Sequence, residues 1–313
     1  MGSSPTPGSL RNRGAGVQRL LSRAGGAAEA VRPPDAEMST SDSSSASPRH
    51  LLRRARIRLI AARLCADGRS RRRLVELLEL GRFEPHGEPE PIALRALGGD
   101  SVHVRAGSAD PDVLVGAFHG LYHLPSAELP SPRLIWDLGA NIGLTMRQMA
   151  TAFPNARIVG VELDPTNIEL ARRNLAPVAE RTEIVEGAVW PEHGTLSYGL
   201  PDGEAEDSFR VGEPGAGTAA AVTLDELRDR FGAPDYVKMD IEGAERDVLE
   251  RNTAWADAIT RIGVEYHDPY SLGDCRRDLT ALGFTGFEVH RRGLMRRGSD
   301  SLYAFRASSE SAR

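Results

Sequence analysis

From Pro132 onward, short apolar runs alternate with stretches in which apolar residues return every three or four positions. Leu134-Ile135-Trp136 is the first such run and predicts a strand over 133–137. Leu144, Met149 and Phe153 follow at helical spacing and predict a helix over 143–153. The same alternation predicts strand 157–162, helix 165–175 and strand 182–186. It then lapses between Trp190 and Ala221, where Thr195 to Tyr198 and Ser208 to Val211 read as short strands between Gly, Pro and acidic turns. That insert is expected to wall a substrate site. The pattern resumes with a helix capped by Thr223, strand 236–240, helix 244–251, strand 261–265, helix 273–282 and strands 284–289 and 301–305, the last two forming an antiparallel pair across Arg291 to Ser299. Such alternation implies an α/β domain with a mostly parallel, Rossmann-like sheet covered by helices on both faces.

Upstream the pattern weakens. Residues 1–48 hold almost no large apolar side chains and are expected to form a disordered arm. Its first residues, MGSSPT, match a myristoylation pattern at Gly2, and the Arg- and Ser-bearing composition also fits a transit peptide, but a plain tail is the favoured reading. Arg49 to Arg73 carries ten arginines and one acid, Asp67, around a helical stripe of Ile57, Ile60, Ala61 and Leu64. Either that helix meets an anionic membrane surface or it covers the α/β domain with its apolar stripe; the second is favoured. A second helix is expected over 72–80, a strand over 101–105 and a mixed apolar segment over 112–122. These divide the chain into an arm (1–48), a helical and mixed extension (49–125), the α/β domain (126–307) and a tail (308–313).

Composition narrows the class. The 313 residues carry a net charge of −5, which argues against nucleic-acid binding by the surface as a whole. Cys65 and Cys275 are too few for a disulfide framework and fit a reducing, cytoplasmic setting. No run is long and apolar enough to predict a membrane span.

The chemistry-bearing residues gather at strand ends. Strand 133–137 ends at Asp137 and turns through Gly139-Ala140-Asn141 to Gly143. This is a strand, glycine turn and helix, yet not the dinucleotide pattern G-x-G-x-x-G, so a ligand without a cradled pyrophosphate is expected. The second strand ends at Glu162-Leu163, where a carboxylate can accept ribose hydroxyls, and the third at Glu186-Gly187-Ala188, beside which an adenine would lie. A second stretch is Lys238-Met239-Asp240-Ile241-Glu242-Gly243-Ala244-Glu245. Strand alternation would put Lys238, Asp240 and Glu242 on one side. Lysine and arginine total 39, and Lys238 is the single lysine, so a compact ammonium was retained where a guanidinium would not serve. The competing reading is a buried structural ion pair.

D-x-G-A-N-x-G, V-E-x-D-P and V-x-G-A together resemble the class I S-adenosylmethionine-dependent methyltransferases. The segments DLGANIG at 137–143, TLDEL at 223–227 and KMDIEGAE at 238–245 are similar to the FkbM family in order and spacing, and VELDPTN at 161–167 and RIGVEYH at 261–267 also fit. The resemblance spans about residues 97–306. It implies S-adenosylmethionine as cofactor and methyl transfer to a hydroxyl of a sugar or natural-product-type small molecule. Asp137, Gly139, Ala140, Asn141, Gly143, Glu162, Leu163, Glu186, Gly187 and Ala188 would hold the cofactor, and Lys238, Asp240, Glu242 and His267 the chemistry. In direct displacement, alignment supplies about 7–11 kcal/mol and a general base about 10²–10⁴-fold. Asp240 and His267 are level candidates for the base, His267 on its reference pKa near 6.5. No ligand spacing demands a metal. Two other classes stay open, a dehydrogenase or other nucleotide enzyme and a silent cofactor-binding scaffold; cofactor calorimetry and a turnover assay separate them.

Overall fold

The computed structural model describes residues 48–81, 86–124, 131–201, 208–213, 215–290 and 301–306. The expected arm before Pro48, the tail after Phe305-Arg306, the boundary at 125/126 and the Arg291 to Ser299 turn lie outside the described residues. Two helices open the chain, α1 (Pro48–Leu64) and α2 (Gly68–Leu80). They break at Asp67, whose carboxylate accepts from the Ser70 N–H at 2.8 Å and caps α2, so the arginine-rich segment is two helices rather than one. A hairpin follows, β1 (His86–Ala93) antiparallel to β2 (Ser101–Ala106), then α3 (Asp110–Val115) and a wide turn over Gly116–Gly120. Strand β1 was not foreseen, because its two prolines and two glutamates read as loop.

The α/β domain runs β3 (Leu134–Leu138), α4 (Leu144–Ala152), β4 (Arg157–Glu162), α5 (Pro165–Leu175), β5 (Thr182–Glu186), β6 (Ala188–Val189), β7 (Thr195–Gly199), β8 (Arg210–Val211), β9 (Gly217–Val222), α6 (Leu224–Phe231), β10 (Tyr236–Met239), α7 (Glu245–Glu250), β11 (Arg261–Glu265), α8 (Leu272–Ala281), β12 (Gly286–His290) and β13 (Ser301–Phe305). Seven strands form one sheet in the order β12-β13-β11-β10-β3-β4-β5. Only β13 runs against the others, pairing antiparallel with β11 and β12. The chain builds outward from β3 to β5, then returns and builds the other way from β10. The strand order therefore reverses between β3 and β10, where a crevice opens at the strand ends.

Local chemistry fixes the helix starts. Asp164 accepts from the N–H groups of Thr166 and Asn167 and precedes Pro165, a residue suited to the first helical turn. The Thr223 hydroxyl caps α6 through the Glu226 N–H, as its position predicted. Ser271 and Asp274 form a reciprocal capping box on α8. Trp136, Leu138, Val237, Met239, Ile262 and Val264 fill one face of the sheet beneath α6 to α8. Ile135, Ile158, Met146 and Tyr236 fill the other.

The extension packs on that second side. Ile57, Ile60, Ala61 and Leu64 of α1 join Leu74, Val102, Val104 and Leu114 in one cluster with Ile142, Leu144 and Leu170 of the α/β domain. The favoured covering role of the α1 stripe thus agrees with its burial. The insert forms a small second sheet, β6-β9-β7-β8, of which β6 and the Ala-rich β9 were not foreseen.

Candidate active site

Strands β3 and β10 are parallel neighbours in a register that sets Lys238 opposite Asp137. Both side chains lie on one face and meet at 3.0 Å, with Lys238 3% and Asp137 0% exposed. Lys238 also donates to the carbonyl oxygens of Leu138 (3.3 Å) and Gly139 (2.6 Å), the beginning of the glycine turn. Burial raises the Asp137 pKa against the pull of Lys238. Burial would lower that of Lys238, but Asp137 and Asp240 outweigh it and raise it. The lysine expected to act beside Asp240 and Glu242 is instead a strut under the turn. It reaches Asp240 at 3.7 Å and takes no part in lining the cleft.

The turn sits tightly on the end of β10. Gly139 has φ +80°, and a Cβ there would come within 1.8 Å of the Asp240 carbonyl oxygen, so no side chain fits. Above it opens a cleft of about 510 Å³, counted to its open mouth. Its walls include Gly139, Asn141, Glu162, Leu163, Gly187, Ala188, Asp240 and Glu242, all foreseen as site residues. Val161, Asn167, Val189, Phe209 and Ile241 also line it and were not foreseen. Phe209 comes from the insert, which does wall the cleft.

Four foreseen cofactor residues stand elsewhere. Asp137 is beneath the turn, and Ala140 packs inward with Met146 and Ile158. Gly143 caps α4 in a left-handed conformation close to Ala171. The Glu186 side chain, in register with Glu162 but on the edge strand, is 60% exposed and pairs with Arg172. Glu162 is buried, and its carboxylate accepts from the N–H groups of Asn141 (2.7 Å) and Asp164 (3.0 Å). Burial raises its pKa, while those two backbone bonds pull the other way.

Beyond Met239 the two-residue alternation ends. Glu242 has φ +52° and Asn141 φ +49°, two non-glycine residues held in the left-handed region beside the cleft. The loop that Glu242 occupies is wrapped around Glu245, which is 0% exposed and accepts from the N–H groups of Ile241 (3.1 Å) and Gly243 (2.9 Å). Glu245 also meets His267 Nδ1 at 2.9 Å. His267 Nε2 then faces Glu242 (3.3 Å), Asp240 (3.6 Å) and Glu265 (3.6 Å). On the far side of Asp240, His123 Nε2 stands 3.3 Å from Oδ2 and 3.8 Å from Glu265. Tyr236 donates to the His123 carbonyl at 3.2 Å and Tyr303 to that of Tyr122, so two sheet tyrosines pin this piece of the extension.

His123, Glu245 and Glu265 were missed. The signal for Glu245 and Glu265 was present in KMDIEGAE and VEYH; nothing in the sequence around His123 marked it. Burial works against charge on Asp240, yet Lys238, His123 and His267 hold its carboxyl well below the usual carboxylate range. Burial likewise disfavours a charged His267, but Glu245, Glu265 and Glu242 raise its pKa well above the ordinary histidine value. Its reference pKa therefore does not describe it.

A parallel sheet with one reversed strand near its edge, and a cleft at its switch point, define a Rossmann-like class I methyltransferase domain. Residues 137–285 match the family model described as the methyltransferase FkbM domain. It is 38% identical over 79 residues to a tRNA1(Val) (adenine(37)-N6)-methyltransferase of Porphyromonas gingivalis, covering 25% of this chain and 29% of that protein. It is 30% identical over 118 residues to the AMB antimetabolite synthetase AmbE of Pseudomonas aeruginosa, covering 38% of this chain and 5% of the other. To the hexuronic acid methyltransferase AglP of Haloferax volcanii it is 26% identical over 147 residues, covering 43% and 56%. The match thus spans between a twentieth and little more than half of these relatives. Among the described residues no helix is long and apolar enough to cross a membrane.

Proposed function

We propose that this protein is an S-adenosylmethionine-dependent O-methyltransferase whose acceptor is a hydroxyl of a sugar or natural-product-type small molecule. The observation that carries the reading is the shared cleft: the glycine turn after β3, Glu162 after β4 and the two carboxylates after β10 face one space. The residues fit the cofactor. A carboxylate ends β4 with acceptor capacity left beyond its two backbone bonds, and Gly187 and Ala188 leave a low wall beside β5. Resemblance to a methyltransferase named for a hexuronic acid supports a sugar-type acceptor.

When bound, S-adenosylmethionine supplies an electrophilic methyl group. Glu162 accepts the ribose hydroxyls, and Leu163 and Val189 cover apolar ring surface. The strut Lys238–Asp137 holds the turn at fixed height over β10. Asp240 and Glu242 receive the acceptor hydroxyl and orient its oxygen, and Asp240 takes up the hydrogen bond of the proton that must leave. Phe209 closes the wall against water. The large share of the barrier falls to this alignment, about 7–11 kcal/mol when the reacting atoms are held in line. Among the described residues that line the cleft none is basic, which favours a compact acceptor over a polynucleotide.

The test is incubation of the full chain with methyl-labelled S-adenosylmethionine and a panel of sugars, uronic acids and hydroxylated aromatics, with the new bond located by NMR. An O-methyl product is expected. Label found only on nitrogen or carbon, or cofactor binding without transfer to any hydroxyl, would overturn the acceptor assignment.

A further inference from the structure

Behind the cleft several carboxylates gather in one largely buried centre. Asp137 is answered by Lys238 at 3.0 Å. Asp240, which Lys238 also reaches at 3.7 Å, gathers with Glu242, Glu245 and Glu265 about two histidines, His123 and His267. Buried carboxylates persist when a cation or hydrogen-bond donors compensate them. Yet Asp240 Oδ1 is buried without a hydrogen-bond partner.

Three ligand atoms converge there. Asp240, Glu242 and His267 each offer one atom, all within 4.8 Å of one another. His267 Nε2 stands 3.6 Å from Asp240 Oδ1, the oxygen without a partner, and 3.3 Å from Glu242 Oε2. A charge-assisted hydrogen bond would draw such atoms to about 2.7–2.9 Å. Ligands held at about 2.0–2.2 Å around a tetrahedral ion lie roughly 3.3–3.6 Å apart. The observed separations match the second case.

Two further features point the same way. Glu245, fully buried, takes His267 Nδ1 at 2.9 Å. A carboxylate on the far ring nitrogen is the usual device that turns a histidine's other nitrogen toward a metal. Glu242 is held at φ +52°, a conformation that an ordinary loop would avoid. His123, Asp240 and Glu265 form a second trio, but His123 and Glu265 do not line the cleft. In the first trio Asp240 and Glu242 do, so an ion there keeps a face open to it.

We infer that Asp240, Glu242 and His267 form a binding site for one divalent metal ion, open to the cleft on one side. One imidazole and two carboxylates suit ions of the manganese, iron, cobalt and zinc group. The existence of the site is independent of the methyl-transfer reading; only the use of its open face for an acceptor oxygen rests on that reading.

The full chain, stripped with a chelator, is titrated with Mn²⁺ and followed by electron paramagnetic resonance, with Co²⁺ absorbance as a second probe. Saturable binding of one ion per chain is expected, with ¹⁴N coupling from a histidine in pulsed spectra of the wild type. Glu242→Gln and His267→Gln should each weaken binding by at least about tenfold, and Glu245→Gln by about 10–100-fold through the histidine it orients. The wild-type nitrogen coupling needs no variant and stands even if His267→Gln does not fold. No saturable binding below millimolar Mn²⁺ or Co²⁺, a bound ion without nitrogen coupling, or unchanged affinity in folded Glu242→Gln would overturn the inference. Calorimetry of S-adenosylmethionine on the same stripped sample separates the two claims. Cofactor binding without metal binding sinks only the metal site, and the converse sinks only the cofactor reading.

Discussion

Replacing Lys238 by methionine keeps most of the stem volume and removes the cation beneath the glycine turn. The ammonium lies 3.0 Å from Asp137, and both groups are buried. At an effective dielectric of about 20 that pair is worth about 5–6 kcal/mol before desolvation. The loss in the variant is bounded, because Asp137 can take a proton instead. Moving a carboxylate from its ordinary pKa near 3.9 to neutrality costs about 4 kcal/mol. The bonds from Lys238 to the carbonyls of Leu138 and Gly139 add about 1 kcal/mol each when lost. Some relaxation of the turn returns part of this, so a loss of about 3–5 kcal/mol is expected, the range for breaking a buried pair. That is a large share of a domain's total of about 5–15 kcal/mol. Of the two readings the sequence left open, a catalytic lysine and a buried structural ion pair, this loss follows from the second. The assay is urea unfolding of Lys238→Met, Asp137→Asn and the double variant. The double variant should lose less than the two singles added together, since each single strands the other's charge or dipole. Additive losses, or a Lys238→Met penalty below about 1 kcal/mol, would refute the strut.

Three other outcomes are expected. Glu162→Ala should weaken S-adenosylmethionine binding by about 1.5–3 kcal/mol, the worth of hydrogen bonds to a charged acceptor; calorimetry giving wild-type affinity in the folded variant would remove Glu162 from the ribose site. Deleting residues 1–47 should leave the melting temperature unchanged, whereas deletion through Leu64 strips Ile57, Ile60, Ala61 and Leu64 from the shared cluster and should lower it by several degrees; equal effects would show the boundary misplaced. Asp274 has its pKa lowered to about 2 by the Ser271 hydroxyl and Arg277. A carboxyl lowered on folding stabilises above its unfolded value and loses that contribution as pH falls through the folded one. The destabilisation by Asp274→Asn should therefore be present at pH 6 and fade between about pH 4 and 2; a penalty independent of pH would contradict the cap.

The sheet was legible because each strand is a short apolar run closed by a charged or glycine residue. Strand β11 (Arg261–Glu265) and strand β13 (Ser301–Phe305) fall on the expected residues, and α5 (Pro165–Leu175) starts at the Asp164-Pro165 cap. What escaped was set by pairing rather than pattern. Strand β1 is built from HGEPEPIA, whose prolines are tolerated because it pairs with β2 alone. The reading of Lys238, Asp240 and Glu242 as one row failed at Met239, where the strand ends and φ at Glu242 turns positive. Glu186 failed differently: it shares a face with Glu162, but on the edge strand its side chain pairs with Arg172 instead of lining the cleft. The proposed metal trio was not legible as a set for a plain reason. His267 lies on a different strand end from Asp240 and Glu242, so no local spacing connects them.

The extension has to be counted as part of the site, although sequence composition sets it apart. Arg105 and Asp110 make a buried two-point ion pair, and the same guanidinium donates to Asn167 at 2.8 Å. Asn167 lines the cleft. Asn174 ties β2 to the glycine turn, accepting from His103 and donating to the carbonyls of His103 and Ile142. His123 reaches Asp240 from the extension's last described residues, held by tyrosines of β10 and β13. Each link joins a group of the extension to a wall of the cleft through a buried hydrogen bond or ion pair, the kind of contact that is expensive to leave half-made. A domain cut at residue 126 would strand Asn167, Asn174 and Asp240 without these partners at once. The family match begins only at Asp137, and it therefore marks where the common fold starts rather than where this protein's working unit does.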